Sequence, residues 1–464
     1  MEEVSSIKTL PVKTGSVRAG EIFSSRLGVL TATLGSAVGL GNIWRFPYLT
    51  GSNGGAAFLI IYLICTVLVG IQVMVGEQML GRAGKGNAIA ALRALAPGKA
   101  WWLVGAAGVI SAFLIMGFYS EVAGWVFAYI FKSLSGSILS TDPQVTTQAF
   151  TSLIANPTQS LVWQWIVLAV TGGILLFGVT KGIERTTKTL MPVLFLLLIL
   201  VGIRSLTLPG AAQGLTYLFK PDFSVITADT FLEALGLSFF KLSVGMGCMM
   251  TYGSYFRSDQ NIPTTATRVA LADLMVSLMA GIAIFPAVFA FGFKPESGPS
   301  LLFITIPAVF ASMPLGNVFM VAFFVLTAIA SIGAMLSLLE VIVTFFNQQL
   351  GLNRKLSVVL TAAALAVFGS AAALSNSTLA NVKILGLTFF DLYDYMSSNV
   401  LMPLGGLLIS VFIGWIWGYP NIRKALSNEG MLKNERVIGM FFGLIKFVTP
   451  ALIVIVLLNK LNIL

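Results

Sequence analysis

Two side chains stand where a lipid-embedded chain tolerates charge least. Lys241 lies centrally in the apolar stretch GLSFFKLSVGMG, and Asp273 lies inside the next apolar segment. An ionisable group at mid-span is unfavourable by about 2.5–3.5 kcal/mol and usually faces a partner or a cavity. A lone buried lysine tends to lose its proton and a lone aspartate to gain one, so mutual pairing is the economical arrangement. A structural pair that merely locks two helices would account for the same two residues. Glu77, Glu121 and Glu340 also fall within apolar segments. Glu77 and Glu340 read as hydrogen-bonded struts, and the sequence assigns Glu121 no role.

The second signal is in the backbone. The stretch Gly35–Pro47, GSAVGLGNIWRFP, holds Gly35, Gly39 and Gly41 within seven residues, then Asn42, Arg45 and Pro47. A helix in lipid should stay unbroken, because each unpaired backbone group there costs several kcal/mol. Broken backbone at that depth belongs where it is buried in protein or lines a cavity, and discontinuous helices build the substrate and ion sites of many secondary transporters. A glycine-rich helix contact with a proline kink is the plainer alternative. Gly245 and Gly247, just past Lys241, mark a second weak point. Two broken segments in corresponding places of two halves is the pattern of an inverted-repeat transporter.

Composition supplies the setting for both signals. Of 464 residues, 57% are hydrophobic and 10% charged, with a mean hydropathy of +0.91. A soluble domain carries about 25% charged residues, so the chain belongs in a lipid bilayer. It has no histidine, which removes the usual proton shuttle and metal ligand. With no nucleophile–base pair either, an enzyme, a metal site and a cofactor are not expected. Cys65 and Cys248 sit in apolar segments and read as buried thiols. The net charge of +10 is carried by short connecting loops, which is an orientation signal and not a nucleic-acid surface. Residues 1–20 are polar and basic and read as a cytoplasmic tail without a cleavable signal peptide.

Eleven apolar segments approach the length of about 20 residues that a span needs. They run near 26–48, 56–80, 101–132, 162–179, 188–205, 229–252, 263–292, 316–350, 355–375, 386–418 and 438–461. Lys and Arg fall on alternate connections: Lys8, Lys13 and Arg18, then Arg82–Lys99, Lys181–Lys188, Arg257, Arg354–Lys355 and Arg423–Arg436. The positive-inside rule makes that side cytoplasmic, with the N-terminus inside and the C-terminus outside. The opposite connections are 133–160, 206–228 and 293–315. Residues 292–315 include LLFITIPAVF between Pro295, Pro299 and Pro314, and read as an external lid hairpin or equally as a loop packed on the bundle.

These residues resemble the neurotransmitter:sodium symporters. The run RLGVLTATLGSAVGLGNIWRFPYLTGSNGGAAFLIIYL is similar to that family's signature, followed by its second-helix glutamate in GEQMLGR, Glu77. The likeness continues through KGIERTTKTLMP, TYGSYFRSDQN, ITIPAVF and LYD, and so covers nearly the whole chain. It implies an all-α membrane protein of LeuT-type fold, with eleven transmembrane helices and a 5+5 inverted repeat broken at helices 1 and 6. The expected organisation is a tail at 1–25, a first repeat at 26–205, an extracellular loop at 206–228, a second repeat with the lid at 229–418, and a cytoplasmic loop with helix 11 at 419–464. The family's common twelfth helix is missing, which together with the short loops points to a bacterial inner membrane.

Residue by residue, the resemblance implies an amino-acid substrate held between segments one, three, six and eight. Backbone at Ser36, Leu40 and Gly41, the Tyr119 hydroxyl, and backbone near Phe240 and Ser243 would take its amino and carboxylate groups. Exposed amides at half-helix ends suit a carboxylate. Ile115, Phe240, Met246, Ala334 and Leu338 would line the side-chain pocket, and all are apolar. Arg45 and Asp394 match a charge pair of the outer gate, with Tyr119 and Phe240 beneath. Gly182 and Pro192 match the fifth-helix motif for cytoplasmic unwinding. Phe23 replaces a tryptophan of the inner latch, and Arg18 is two positions from the expected arginine.

The departures are as informative. One family sodium site would use the Ala37 carbonyl, Asn42, a hydroxyl and an amide, but here the last two positions are Lys241 and Asp273. An ammonium is a compact cation with three donors and can take sodium's place. The second site would use carbonyls of Gly35, Val38 and Ala330 plus two hydroxyls, replaced by Gly333 and Ala334. Ser331 would restore an oxygen only if the helix slipped. Of a chloride site, Tyr62 and Ser277 remain, while Leu237 and Lys241 replace the rest. The expectation is sodium-independent transport of neutral amino acids, proton-coupled or by exchange. A conventional sodium symporter and a transport-dead sensor are the alternatives. Nothing in the sequence sets an oligomeric state.

Overall fold

The computed structural model describes residues 22–292 and 301–460. The tail residues 1–21, with Arg18, and the lid residues 293–300, with Pro295 and Pro299, lie outside the described residues, as do 461–464. In chain order the helices are α1 (Arg26–Ala37), α2 (Gly41–Ser52), α3 (Ala56–Gly84), α4 (Ala88–Leu95), α5 (Trp102–Leu134) and α6 (Pro143–Ile154). Next come α7 (Pro157–Leu176), α8 (Val179–Leu206), α9 (Ala211–Phe219), α10 (Ala228–Lys241), α11 (Cys248–Ser254) and α12 (Ile262–Ala290). The remainder are α13 (Leu301–Ala311), α14 (Gly316–Gln349), α15 (Arg354–Asn376), α16 (Phe389–Leu426) and α17 (Glu435–Leu458).

Among the described residues, nine of these helices are long and apolar enough to cross a membrane, and α1 with α2 forms a further candidate bent by 62°. The sixth expected segment is divided into α10 and α11, and neither half has the length of a span. Both breaks follow from local backbone. After α1, Val38 turns extended (φ −80°, ψ 113°). After α10, Ser243, Gly245 and Gly247 adopt positive φ of 53°, 78° and 75°. Glycine takes that conformation without a Cβ penalty, and Ser243 is the one bearing the strain.

Several expected boundaries move. The fourth segment begins at Pro157, not 162, because the Asn156 side chain caps Gln159 N at 3.0 Å and proline suits the first helical position. It stops before Gly178, whose φ of 83° separates it from α8, so the fifth segment starts at Val179 and not 188. The connections read as loops contain α4, α6 and α9, each too short for a span. Of the lid region, Leu301–Ala311 is a helix packed on α6, α12 and α14, with Leu301, Leu302 and Phe303 fully buried.

Helix α1 packs against α8, α12 and α14, and α5 runs along α14, so the breaks sit at the centre of the bundle. α3 crosses α11 through glycines. A Cβ on Gly81 would overlap the Met250 carbonyl, and one on Gly253 the Gln78 carbonyl. Gly81→Ala or Gly253→Ala should therefore destabilise by about 1–3 kcal/mol through overpacking. Gly173→Ala, with nothing within 4 Å of the added carbon, should not. Melting temperatures of the purified variants in detergent check this, and equal melting of all three would contradict it.

Candidate functional site

Between the two breaks lies a small cavity. Its walls are Ser36, Ala37, Gly39, Gly41 and Asn42 from the first break, Ile115 and Tyr119 from α5, Phe240, Lys241, Ser243 and Met246 from the second, and Ala334 and Leu338 from α14. The expected substrate-contacting residues are thus brought together, apart from Leu40. Its amide donates to the Tyr119 hydroxyl at 3.0 Å, and it lines the chamber above. The breaks are tied to each other by the Ser243 hydroxyl, which donates to the Ser36 carbonyl at 2.8 Å. Ser36 Oγ in turn donates to Ser337 Oγ of α14 at 2.8 Å. Glu77, from α3, accepts the freed Gly245 amide at 2.6 Å.

Lys241 ends α10 with its Nζ 3.0 Å from Asp273 Oδ2 of α12, and both side chains are essentially without solvent exposure. The contact is an ion pair without hydrogen-bond alignment, since neither Nζ nor Oδ2 makes an aligned bond within the protein. Aromatic faces complete the ammonium's surroundings, Phe46 at 4.1 Å and Tyr62 at 4.7 Å from the ring centres. Asn42 links the pair to the break in helix 1. Its Nδ2 donates to Asp273 Oδ1 at 2.5 Å and to Ser277 Oγ at 2.9 Å, while its Oδ1 accepts the Gly39 amide at 2.9 Å. Asn42 Nδ2 thus points at a carboxylate, and an ammonium fills the neighbouring space. These residues do not fit a sodium ion at the first family position.

The second position fits no better. α1 and α14 meet there through backbone, and a Cβ on Gly333 would stand 2.6 Å from the Gly35 carbonyl oxygen. Val38 and Ala330 are fully buried at the same contact, and Ala334 offers only a methyl group. Ser331 is turned to its own helix, donating to the Ala328 carbonyl at 2.8 Å. Of the chloride set, Tyr62 lies beneath the ammonium, and the Ser277 hydroxyl donates to the Asp273 carbonyl at 3.0 Å. Leu237 is buried and apolar.

Above the cavity a larger chamber is lined by Arg45, Asp394, Trp44, Phe390 and others, and it shares Gly41, Tyr119 and Phe240 with the cavity below. The outer-gate pair is not closed in this conformation. Arg45 lies 5.6 Å over the Phe240 ring, and Asp394 accepts the Ser398 hydroxyl at 2.7 Å, so the expected Arg45–Asp394 contact is replaced by separate partners across the chamber. Gly182 and Pro192 both lie within α8, which is wound throughout.

A further set of contacts around Phe23 and Glu184 was not revealed by the sequence. Phe23 is fully buried, edge-on to Tyr252 and Tyr255 at 5.7 and 5.9 Å. Glu184 of α8 accepts Ser24 N at 2.7 Å, Ser24 Oγ at 2.6 Å, Ser25 Oγ at 3.1 Å and Lys188 Nζ at 2.6 Å. The one legible sign was a lysine four residues after a glutamate within KGIERTTK. Glu340 accepts the Tyr255 hydroxyl at 2.6 Å and pairs with Arg354 at 2.7 Å. On the nearby loop, Asp259 accepts from Arg257 and Arg26, and these bonds hold its carboxyl below the usual range. Glu121 accepts the Trp125 indole N–H at 2.6 Å, deep between α5 and its neighbours.

Comparisons with known proteins identify a family and relatives of the chain. A family model described as "Sodium:neurotransmitter symporter family" matches residues 20–152 and 147–463. The chain is 42% identical over 444 residues to the uncharacterized sodium-dependent transporter YhdH of Bacillus subtilis (strain 168), covering 95% of this chain and 98% of that protein. It is 35% identical over 452 residues to an uncharacterized sodium-dependent transporter of Haemophilus influenzae, with coverage of 95% and 98%. A solved structure, the crystal structure of MhsT in complex with L-phenylalanine, matches with a TM-score of 0.88 and 41% identity, covering 96% of this chain and 100% of that one.

Removing one partner of a buried pair leaves an uncompensated charge, which costs about 3–5 kcal/mol, whereas replacing both with apolar or neutral groups is far milder. Lys241→Met and Asp273→Asn should each lower the melting temperature in detergent, and the double variant should recover most of the loss. Strictly additive losses would show that the two groups do not interact.

Proposed function

Because the chain belongs to the sodium:neurotransmitter symporter family of transporters, we propose that it carries neutral amino acids with apolar or aromatic side chains by alternating access, with its own lysine in place of a coupling sodium ion. The observation that carries this reading is the Lys241–Asp273 contact of 3.0 Å at the wall of the cavity. Lys241 lines the cavity beside Asp273, and an ammonium there is a donor for a substrate carboxylate. Helix α2 begins at Gly41 in the wall of the same cavity, and a helix N-terminus favours an anion. Tyr119 and the carbonyl end of α1 position the amino group. Ile115, Met246, Ala334, Leu338 and Phe240 offer the side chain only apolar surface. The phenylalanine in the MhsT structure belongs to that substrate class.

Counting charges extends the proposal. Ionised Lys241 and Asp273 sum to zero, so a zwitterionic substrate travels with no mobile cation, and transport is by exchange or is coupled to a proton on this pair. Counting the divided α10–α11 element as a crossing gives eleven spans, with the N-terminus inside a bacterial inner membrane and the C-terminus outside. The relatives' names favour a second reading, conventional sodium symport.

The deciding experiment is uptake and binding of labelled neutral amino acids by proteoliposomes, in sodium and in choline, with and without a pH gradient. Sodium-free uptake is expected to match uptake in sodium. Lys241→Thr with Asp273→Asn is expected to make uptake sodium-stimulated. Strict sodium dependence of the wild type would overturn the proposal, and binding without any flux would favour a sensor.

A further inference from the structure

Helix α17 has the least buried apolar window of the candidate spans, 28%, so most of its surface is offered to lipid. Between Val437 and Leu458 it carries a single ionisable side chain, Lys446. The ammonium of Lys446 lies over three rings, Trp415 at 4.6 Å, Phe442 at 5.2 Å and Phe447 at 5.3 Å from their centres. Trp415 and Phe447 are each 58% exposed, so this cage opens outward from the protein. Its back is rigid. A Cβ on Gly414 would stand 2.8 Å from Lys446 Cα, and the Trp415 indole donates to the Lys446 carbonyl at 3.3 Å.

Among the described residues no carboxylate pairs with Lys446. Ring faces attract a cation, but they leave its three N–H donors without conventional acceptors. A charge on a lipid-facing helix needs a counter-charge or a route to the interface. Side chains on a helix lean toward its N-terminus, where exposed Lys433 and Arg436 lie. From Arg436 to Lys446 the helix rises about 15 Å, at 1.5 Å per residue. The lysine stem reaches back over part of that distance, which brings the ammonium to the boundary between headgroups and acyl chains. Trp415, Trp417 and Tyr419, the last edge-on to Phe442 with ring centres 5.2 Å apart, are residues that favour that depth.

We propose that Lys446 and its three rings form a seat for the phosphodiester of an anionic phospholipid, with the rest of the headgroup reaching toward Lys433 and Arg436. The rings grip the lysine and exclude water, the phosphate supplies the missing acceptor and counter-charge, and the acyl chains follow the exposed face of α17. This site is remote from the substrate cavity and does not depend on how transport is coupled.

The test is thermal melting of the purified full-length protein in neutral detergent, titrated with dioctanoyl-phosphatidylglycerol, dioctanoyl-phosphatidylcholine or glycerol phosphate alone. Phosphatidylglycerol is expected to raise the melting temperature saturably and phosphatidylcholine much less. Lys446→Gln should weaken the half-saturating concentration of phosphatidylglycerol by about fivefold, the worth of one lysine beside an anionic headgroup. Lys446→Arg should keep the response. Should Lys446→Gln fail to fold, Trp415→Leu, which opens the cage and keeps the charge, is expected to reduce the difference between the two lipids. Equal shifts from both lipids, an undiminished response in Lys446→Gln or in Trp415→Leu, or an equal shift from glycerol phosphate alone would each overturn the proposal.

Discussion

The constraint on which this structure depends is that backbone unwound at the centre of a bilayer protein must still find partners. Four side chains from four places in the chain answer it. Asn42 takes the Gly39 amide, Tyr119 the Leu40 amide and Glu77 the Gly245 amide, while Ser243 donates to the Ser36 carbonyl. Each bond satisfies a group that would otherwise destabilise the fold by several kcal/mol. Because the partners come from different helices, the same bonds fix how α3, α5 and the two broken elements sit around one point. The cavity is the space these bonds leave open.

The Lys241–Asp273 pair is built into that arrangement through Asn42, which touches both the carboxylate and the Gly39 amide. A buried ion pair is weak evidence of stability, since desolvation offsets most of the attraction. Its value here is geometric. The pair holds a positive charge beside the cavity and, through one amide side chain, holds the loop of helix 1 in a defined shape. A bound ion would do both jobs only while it was bound.

Much of this was legible in the sequence, for physical reasons that can be named. Clustered glycines with Asn42 in an apolar run announced a break, and Lys241 and Asp273 were visible because lipid makes every charge conspicuous. Hydropathy alone misplaced the start of α7, where Asn156 and Pro157 carried the better signal. What stayed hidden depended on distant contacts or on conformation. Nothing in the sequence around Glu184 shows that Ser24 and Ser25, about 160 positions away, will donate to it. The same holds for Gly81 and Gly253, whose need for glycine appears only when α3 and α11 cross. Arg45 and Asp394 were found as residues of one chamber, but whether such a pair touches is a property of the state of the carrier.

A cation that is part of the polypeptide changes the energetics of the whole cycle. A mobile ion lets membrane voltage do work, about 2.3 kcal/mol per charge at 100 mV. That is enough on its own to sustain a concentration ratio of about fiftyfold, at 1.4 kcal/mol per decade. If Lys241 stands in for a coupling ion as proposed, its charge stays with the carrier when substrate leaves, and loaded and empty forms differ by nothing that voltage can pull upon. A site of this kind settles toward equal substrate activity on both faces of the membrane unless another solute, or a proton, is made to travel with it.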